Sequence, residues 1–179
     1  MDSINQQQPE ENRKDLQNID AIEKMRELCE EKSCFFCTNI TTGQPFATRP
    51  MSVQKIDDDG VLWFLSADDS YKNKEIVADP AVQLLFQGSA YSDFVTLHGT
   101  ASVSKDKEKI KELYEPILKT WFTGGIDDPR ITVIKVVPND GYYWDTKHGQ
   151  LVAFAKKIAG AVLGKTLDDS IEGTLKMQH

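Results

Sequence analysis

The fold is decided by residues 46–66, which read FATRPMSVQKIDDDGVLWFLS. The first part of this stretch, as far as Ile56, has the extended pattern of a strand, and Val61 to Ser66 is a short apolar strand. Between them, Asp57-Asp58-Asp59-Gly60 is a turn. Two strands joined by so short a turn pair antiparallel. The stretch therefore predicts a meander that closes towards a barrel or a sandwich.

The pattern of short strands separated by turns continues on both sides of this stretch. Further strands are predicted at 33–42, 81–87, 93–104, 131–137 and 142–144, with a turn at 138–141. Helices are predicted at 19–32, 70–78, 105–119 and 151–163, and Pro116 is expected to kink the third of them. Strands outnumber helices and follow one another through short turns, which favours an antiparallel sheet over a doubly wound parallel one. No glycine-rich phosphate loop stands between a strand and a helix, so a dinucleotide-binding fold is not expected. The prediction is a mainly β protein with peripheral helices.

The chain of 179 residues is long enough for one domain with a real core. Residues 1–18 are rich in Gln, Asn, Glu and Asp and carry almost no apolar anchors, so we expect a disordered N-terminal tail there. Residues 19–165 form the predicted domain. Residues 166–179 are a C-terminal extension for which the sequence favours neither order nor disorder.

Composition and charge exclude several classes of partner. The net charge of −7 argues against sequence-independent nucleic-acid binding, which needs a basic face. The longest apolar stretch, Leu151 to Leu163, is interrupted by Lys156 and Lys157, and it is too short and too charged to span a membrane. The N-terminus lacks the pattern of a secretory signal. We expect a cytoplasmic protein with no nucleic-acid or membrane partner.

Cys34-Phe35-Phe36-Cys37 has the spacing of a redox or zinc pair. No second pair accompanies it, and the three histidines lie far along the chain, so a closed zinc site lacks ligands and no metal is predicted. In a strand, residues three apart point to opposite faces, which separates the two sulfurs. We interpret these cysteines as structural.

Cationic and hydroxyl side chains cluster at a predicted junction of strand and helix. Ser66, Ser70, Lys72 and Lys74 converge if the end of one strand meets the start of the next helix, and such donors suit a phosphate monoester. The alternative is that Lys72 and Lys74, beside Glu75, form an ordinary solvated helix face. The sequence alone also leaves the role of Trp121 and Trp144 undecided, because buried aromatic residues usually belong to a hydrophobic core.

Seven short motifs in a fixed order resemble one family. They are Arg49-Pro50-Met51, Trp63-Phe64-Leu65-Ser66, Ser70-x-Lys72-x-x-Glu75-Ile76, Asp79-Pro80-x-Val82, Trp121-Phe122, Gly124-Gly125-x-Asp127-Asp128-Pro129 and Tyr143-Trp144-Asp145. Together they are similar to the general stress protein 26 branch of the pyridoxamine 5′-phosphate oxidase-like proteins. The resemblance covers roughly residues 19 to 165. It implies a six-stranded antiparallel split barrel of the FMN-binding type and a homodimer that holds FMN in a groove lined by both chains.

The resemblance also implies roles for individual residues. Along the flavin ring would run Arg49, Pro50 and Met51, and beside the ring and the ribityl chain would lie Phe64 and Ser66. The phosphate would be held by Ser70 and Lys72, with Lys74 as a weaker candidate. From the partner chain, Trp121 and Trp144 would approach the flavin.

Two departures from the family pattern argue against oxidation of vitamin B6. Tyr71 stands beside Lys72 where the authentic oxidases carry an arginine, and residues 145–150 do not reproduce their Arg-x-His run. The predicted function is a stress-related, flavin-dependent oxidoreductase acting on an unknown small substrate, with NAD(P)H as a candidate electron donor. The alternatives are a non-catalytic module that binds or sequesters FMN, a split barrel with a deazaflavin or haem, and a dimerising β-domain without a ligand.

Overall fold

The computed structural model describes residues 12–41, 46–89, 93–147 and 169–178, and within these residues it contains nine strands and three α-helices. The strands are β1 Leu16–Gln17, β2 Ser33–Thr38, β3 Ala47–Ser52, β4 Lys55–Ile56, β5 Leu62–Ala67, β6 Ala81–Gln87, β7 Phe94–Ser104, β8 Ile131–Thr146 and β9 Ser170–Lys176. The helices are α1 Asn18–Cys29, α2 Tyr71–Ala78 and α3 Lys107–Leu113, with 3₁₀ turns at Pro116–Thr120 and Gly125–Asp127. Among the described residues, no helix has the length and apolarity needed to cross a membrane.

Six strands close a barrel. In the sheet β8, β7, β6, β2 and β3 are successive neighbours, all antiparallel. After β3 the chain leaves β2 and joins β5, since Gln54 donates its backbone N–H to the carbonyl of Trp63 and β4 pairs with β5. Because β5 pairs in turn with β8, the circuit is complete. Counting β3 and β4 as two halves of one bent strand gives six strands, which confirms the predicted mainly β split barrel.

The alternation of side chains along β5 shows how the barrel divides its two cores. Leu62 and Phe64 point into the barrel, where the rings of Phe36 and Phe64 meet edge to face with centroids 5.3 Å apart. Leu65 points outwards and is buried in a second cluster with Leu113 of α3. Both faces of β5 are therefore buried, and the strand is fixed between the barrel interior and α3.

The turn predicted at residues 138–141 is wrong, because β8 runs through it as one strand. His98 pairs with Asp140 while Gly99 pairs with Pro138, so Asn139 is an extra residue in a β-bulge. A Cβ atom on Gly99 would lie 2.4 Å from the carbonyl oxygen of Val137, so glycine permits this close approach. The bulge lets β8 pair with β5 before it and with β9 beyond it. Turn-forming residues suit such a bulge as well as a hairpin.

The prediction of a disordered tail over residues 1–18 is wrong for residues 12–18. The backbone N–H of Lys14 bonds to the carbonyl of Glu172, and β1 lies parallel to β9 with Leu16 buried. Most of the C-terminal extension forms β9, which is antiparallel to β8. Each segment lacks a strong pattern of its own, and each is ordered by the other and by the edge of the sheet. Residues 1–11 and the helix predicted at 151–163 lie outside the described residues.

The predicted third helix divides into two pieces. The Asp106 side chain accepts hydrogen bonds from the N–H groups of Glu108 and Lys109 and caps the start of α3. The helix ends at Leu113, and a separate 3₁₀ turn starts at Pro116. Proline has no N–H for the helical ladder and disfavours helical backbone before it, so a predicted kink becomes a break.

Candidate functional site

Two cationic side chains from different elements lie close together on the barrel. Arg49 projects from the middle of β3 and is partly buried, and Lys72 comes from the first turn of α2 and is also partly buried. Burial lowers the pKa of Lys72, and the nearby charge of Arg49 lowers it further, whereas Asp69 and Glu75 oppose this shift. The pairing of two partly desolvated cations creates a local positive region on an acidic protein, which is suited to an anion.

A closed ring of hydrogen bonds holds the Arg49 guanidinium. Its Nη1 donates to Thr38 Oγ1 over 2.8 Å, and its Nη2 donates to Glu75 Oε2 over 2.8 Å. The Thr38 hydroxyl also donates to Glu75 Oε2, at 2.5 Å. Because Thr38 belongs to β2 and Glu75 to α2, the ring ties three elements together.

The carboxyl group of Glu75 is ionised in this ring. Burial raises its pKa, but the hydrogen bonds from Thr38 and Arg49 outweigh that effect and leave the pKa below its usual value. No sequence motif assigned Thr38 to the site. The spacing of Glu75 three residues after Lys72 was a usable signal, since it places both on one helix face.

The two serines predicted at the site bond to each other. Ser66 is buried, its hydroxyl lies 3.1 Å from that of Ser70, and it donates to Asn73 Oδ1 over 2.9 Å. The Ser66 side chain therefore belongs to a buried network. Ser70 precedes α2 as its N-cap residue, and its side chain makes no capping bond to the helix. Ser70 is the serine placed closest in sequence to Lys72 at the start of the helix.

Lys74 lies two residues after Lys72 on α2, so the turn of the helix points the two side chains in different directions. Its ammonium lies 5.7 Å from the ring centroid of Tyr71, and both side chains are exposed. Phe64, in contrast, is fully buried in the barrel core, so its ring supports β5 from the inside. Along β3, Met51 packs against the same core on the side of Arg49, while Pro50 is exposed on the other face.

The two tryptophans lie on other parts of the chain. Trp144 on β8 is 41% exposed and stacks at a tilt against Tyr142, with centroids 4.6 Å apart. The part of β8 that carries Trp144 pairs with β7 and β9, whereas Arg49 lies on β3 beside β2. Trp121 follows the Pro116–Thr120 turn and is 64% exposed. The structure thus places Arg49 beside Lys72, and Ser70 lies two residues before Lys72 at the start of α2. The contacts described for these residues include neither tryptophan.

The Cys-x-x-Cys pair has the structural character predicted for it. Cys34 lies in the barrel core, Cys37 is buried outside that cluster, and both are free thiols. Burial raises the pKa of Cys34 to about 12, with a smaller contribution from Cys37. A thiol with so high a pKa is a poor nucleophile at neutral pH.

Comparison with known proteins agrees with this architecture. A fungal protein, bli-3 of Neurospora crassa, is 28% identical over 127 residues, which are 66% of this chain and 61% of bli-3. The chain therefore spans less than two thirds of that relative. A putative general stress protein 26 from Jannaschia sp. CCS1 has a TM-score of 0.71 and 26% identity, covering 87% of this chain and 96% of that one.

Two further solved structures share the fold. A putative pyridoxamine 5′-phosphate oxidase from Listeria innocua has a TM-score of 0.56 and 28% identity over 67% of this chain and 94% of its own. A general stress FMN/FAD binding protein from Xanthomonas citri has a TM-score of 0.58 and 18% identity over 68% of this chain and 84% of its own. The family model described as pyridoxamine 5′-phosphate oxidase like matches residues 20–168. The chain belongs to the pyridoxamine 5′-phosphate oxidase-like family.

Proposed function

We propose that this protein binds FMN and that the Arg49–Lys72 pair holds the phosphate of the cofactor. The observation that carries the proposal is that Arg49 binds Glu75 on α2, three residues after Lys72, and that the partly buried Arg49 and Lys72 interact electrostatically. A phosphate monoester brings close to two negative charges at neutral pH and strong acceptor oxygens. Family membership supports the same conclusion, as does the name of the FMN/FAD binding protein from Xanthomonas citri.

The residues present fit the chemical requirements of the phosphate group. Arg49 supplies a planar fork of donors, Lys72 a mobile ammonium, and Ser70 a hydroxyl at the start of the helix. The resemblance placed Arg49 along the flavin ring. The contact of its guanidinium with Glu75, and its charge beside Lys72, favour a role for Arg49 at the phosphate end instead. Met51 lies on the same face of β3 as Arg49 and is assigned to the remainder of the cofactor, whereas Pro50 lies on the other face of the strand.

We assign the second half of the groove to a second copy of the chain. The outer face of the sheet exposes apolar side chains in a row across neighbouring strands, since Pro50 pairs with Phe35 and Phe35 with Leu85. Phe35 is 56% exposed in the single chain. An exposed apolar face of this kind marks a protein interface. A homodimer also allows Trp121 or Trp144 of one copy to reach the Arg49 region of the other.

The proposed activity is flavin-dependent oxidation or reduction of a small molecule. When bound, FMN supplies hydride chemistry, and the protein supplies position and electrostatics. Arg49 and Lys72 bind the anionic end, and Met51 contributes apolar surface next to them. Glu75 is ionised and engaged by Arg49 and Thr38, so it does not serve as a proton donor near neutral pH. Tyr71, exposed beside Lys72, supplies no cation for a second phosphate, which argues against oxidation of phosphorylated vitamin B6.

The experiment is a titration of the purified protein with FMN, followed by its absorbance between 300 and 500 nm before and after gel filtration. We expect retention of about one flavin per chain in the wild type. Lys72→Ala should weaken FMN binding by about 10- to 100-fold, because it removes a charge-assisted contact. The matched control is Lys111→Ala, which removes an exposed lysine paired with Glu108 on α3. Loss of flavin from the wild type on gel filtration would rule out the proposal.

A turnover measurement distinguishes a flavin-dependent enzyme from a module that only binds FMN. NAD(P)H should reduce bound FMN in the wild type, seen as bleaching of the flavin band. Retained flavin that nicotinamide donors do not reduce would instead identify a module that binds or sequesters FMN.

A further inference from the structure

The Arg49–Lys72 pair shares its surroundings with a carboxylate, which repels an incoming anion. Glu75 Oε2 accepts hydrogen bonds from both Arg49 Nη2 and Thr38 Oγ1. It also interacts electrostatically with Lys72. The acidic group thus faces both cations of the site at once.

The hydrogen bonds around Glu75 show which part of Arg49 is already occupied. Nη1 is bound to Thr38 and Nη2 to Glu75, so one donor of each terminal nitrogen is used within the protein. A guanidinium has five N–H donors, which leaves others for a ligand. Thr38 is fully buried, and it fixes the carboxylate as well as the guanidinium. The ring therefore holds Arg49 in one orientation in the ligand-free protein.

Charge balance gives Glu75 a second effect. Two positive charges, on Arg49 and Lys72, stand against one negative charge on Glu75, with Asp69 also close enough to act on Lys72. Without Glu75, two like charges would face each other in a partly desolvated position, which is unfavourable. With Glu75 in place, an incoming phosphate dianion meets a weaker positive field and a like charge beside Arg49.

We propose that Glu75 is a built-in counter-ion, which stabilises the paired cations in the ligand-free protein and limits the affinity of the site for a phosphate dianion. This inference rests on the proposed function, since it concerns the same site. Glu75 acts through Arg49 and Lys72 and is a positioning residue. Its carboxylate neutralises part of the positive charge that would otherwise attract the ligand.

The test uses Glu75→Gln, which keeps an oxygen acceptor for Arg49 and Thr38 and removes the negative charge. Dissociation constants are measured for FMN and for riboflavin, which lacks the phosphate. We expect the ratio of the riboflavin constant to the FMN constant to rise about three- to tenfold over the wild type, because only FMN gains from the removed repulsion. The matched control is Glu108→Gln, an exposed glutamate on α3, which should leave the ratio unchanged.

Other outcomes overturn the inference. A lower ratio in Glu75→Gln would mean that the carboxylate favours phosphate binding by holding Arg49, and an unchanged ratio would mean that its charge does not act on the ligand. Equal loss of affinity for both flavins, with a lower unfolding temperature, would show a purely structural role.

A ligand-free measurement separates this inference from the proposed function. Since Glu75 raises the pKa of Lys72, the pKa of Lys72 measured by NMR should fall further in Glu75→Gln. If the wild type binds FMN and riboflavin equally, the proposed phosphate site fails, and a titration with inorganic phosphate then decides the inference. Glu75→Gln must bind inorganic phosphate more tightly than the wild type, and equal or weaker binding overturns it.

Discussion

The side-chain amide of Asn73 donates a 2.9 Å hydrogen bond to Thr132 Oγ1 and thereby joins α2 to β8. The Thr132 hydroxyl donates in turn to the carbonyl of Ser66, and the Ser66 hydroxyl donates to Asn73 Oδ1. All three residues are buried. This network fixes the helix that carries Lys72 and Glu75 on the barrel, so it sets the position of the candidate site without contributing to its surface.

Replacement of Asn73 by alanine should destabilise the protein by about 2–4 kcal/mol, because it removes the three hydrogen bonds that the amide makes with Ser66, Thr132 and the carbonyl of Ala67. Chemical denaturation measures the change in the free energy of unfolding. The matched control is Gln54→Ala, which removes an amide bonded to the carbonyl of Ser52 at the surface. We expect less than about 0.5 kcal/mol for the control. A loss below about 1 kcal/mol for Asn73→Ala would show that the network contributes little.

The stability at acid pH should depend on Asp128. Its carboxylate accepts hydrogen bonds from the side chain and the backbone of Arg130, which hold the pKa of Asp128 well below its unfolded value of 3.8. The stabilisation is therefore fully present above about pH 4 and is lost as the pH falls through the folded pKa. In Asp128→Asn, the free energy of unfolding should fall less steeply between pH 4 and pH 2. Parallel curves for the two proteins would contradict the assignment.

The outer sheet face should be the dimer interface. Phe35 is 56% exposed and pairs with Pro50 across β2 and β3, and a lysine in its place would put a charge into the proposed contact. Light scattering after gel filtration should give twice the chain mass for the wild type and the single-chain mass for Phe35→Lys. Ile19→Lys is the matched control, since Ile19 is 59% exposed on α1. A wild-type protein that stays monomeric would rule out the interface.

The contact between the two ends of the chain should depend on Gly173. A Cβ atom there would lie 1.9 Å from the carbonyl oxygen of Lys14, so Gly173→Ala cannot keep β1 against β9. We expect rapid hydrogen exchange at the Lys14 amide, which is bonded to Glu172 in the wild type. Leu16→Ala should act in the same direction, because it removes a buried side chain from the same segment. Unchanged protection in Gly173→Ala would show that the contact tolerates a side chain.

Local patterns in the sequence determined the class of the fold. The strand predicted at 81–87 has those bounds in the structure, and the helix predicted at 70–78 starts one residue later. Each strand is marked by β-branched and apolar residues between short turns, and this information lies within a few neighbouring positions. The opposite placement of Cys34 and Cys37 followed in the same way, from the two-residue period of a strand.

Only the tertiary structure decided the closure of the barrel and the details of the site. The bend between β3 and β4, the bulge at Asn139 and the pairing of β1 with β9 depend on partners distant in sequence. The same is true of Arg49, whose partners Thr38 and Glu75 lie 11 and 26 positions away. Lys72 and Lys74 are nearly equivalent in the sequence, and the turn of the helix places only Lys72 beside Arg49. Contacts of this kind depend on how the whole chain packs, and a local pattern of residues does not encode them.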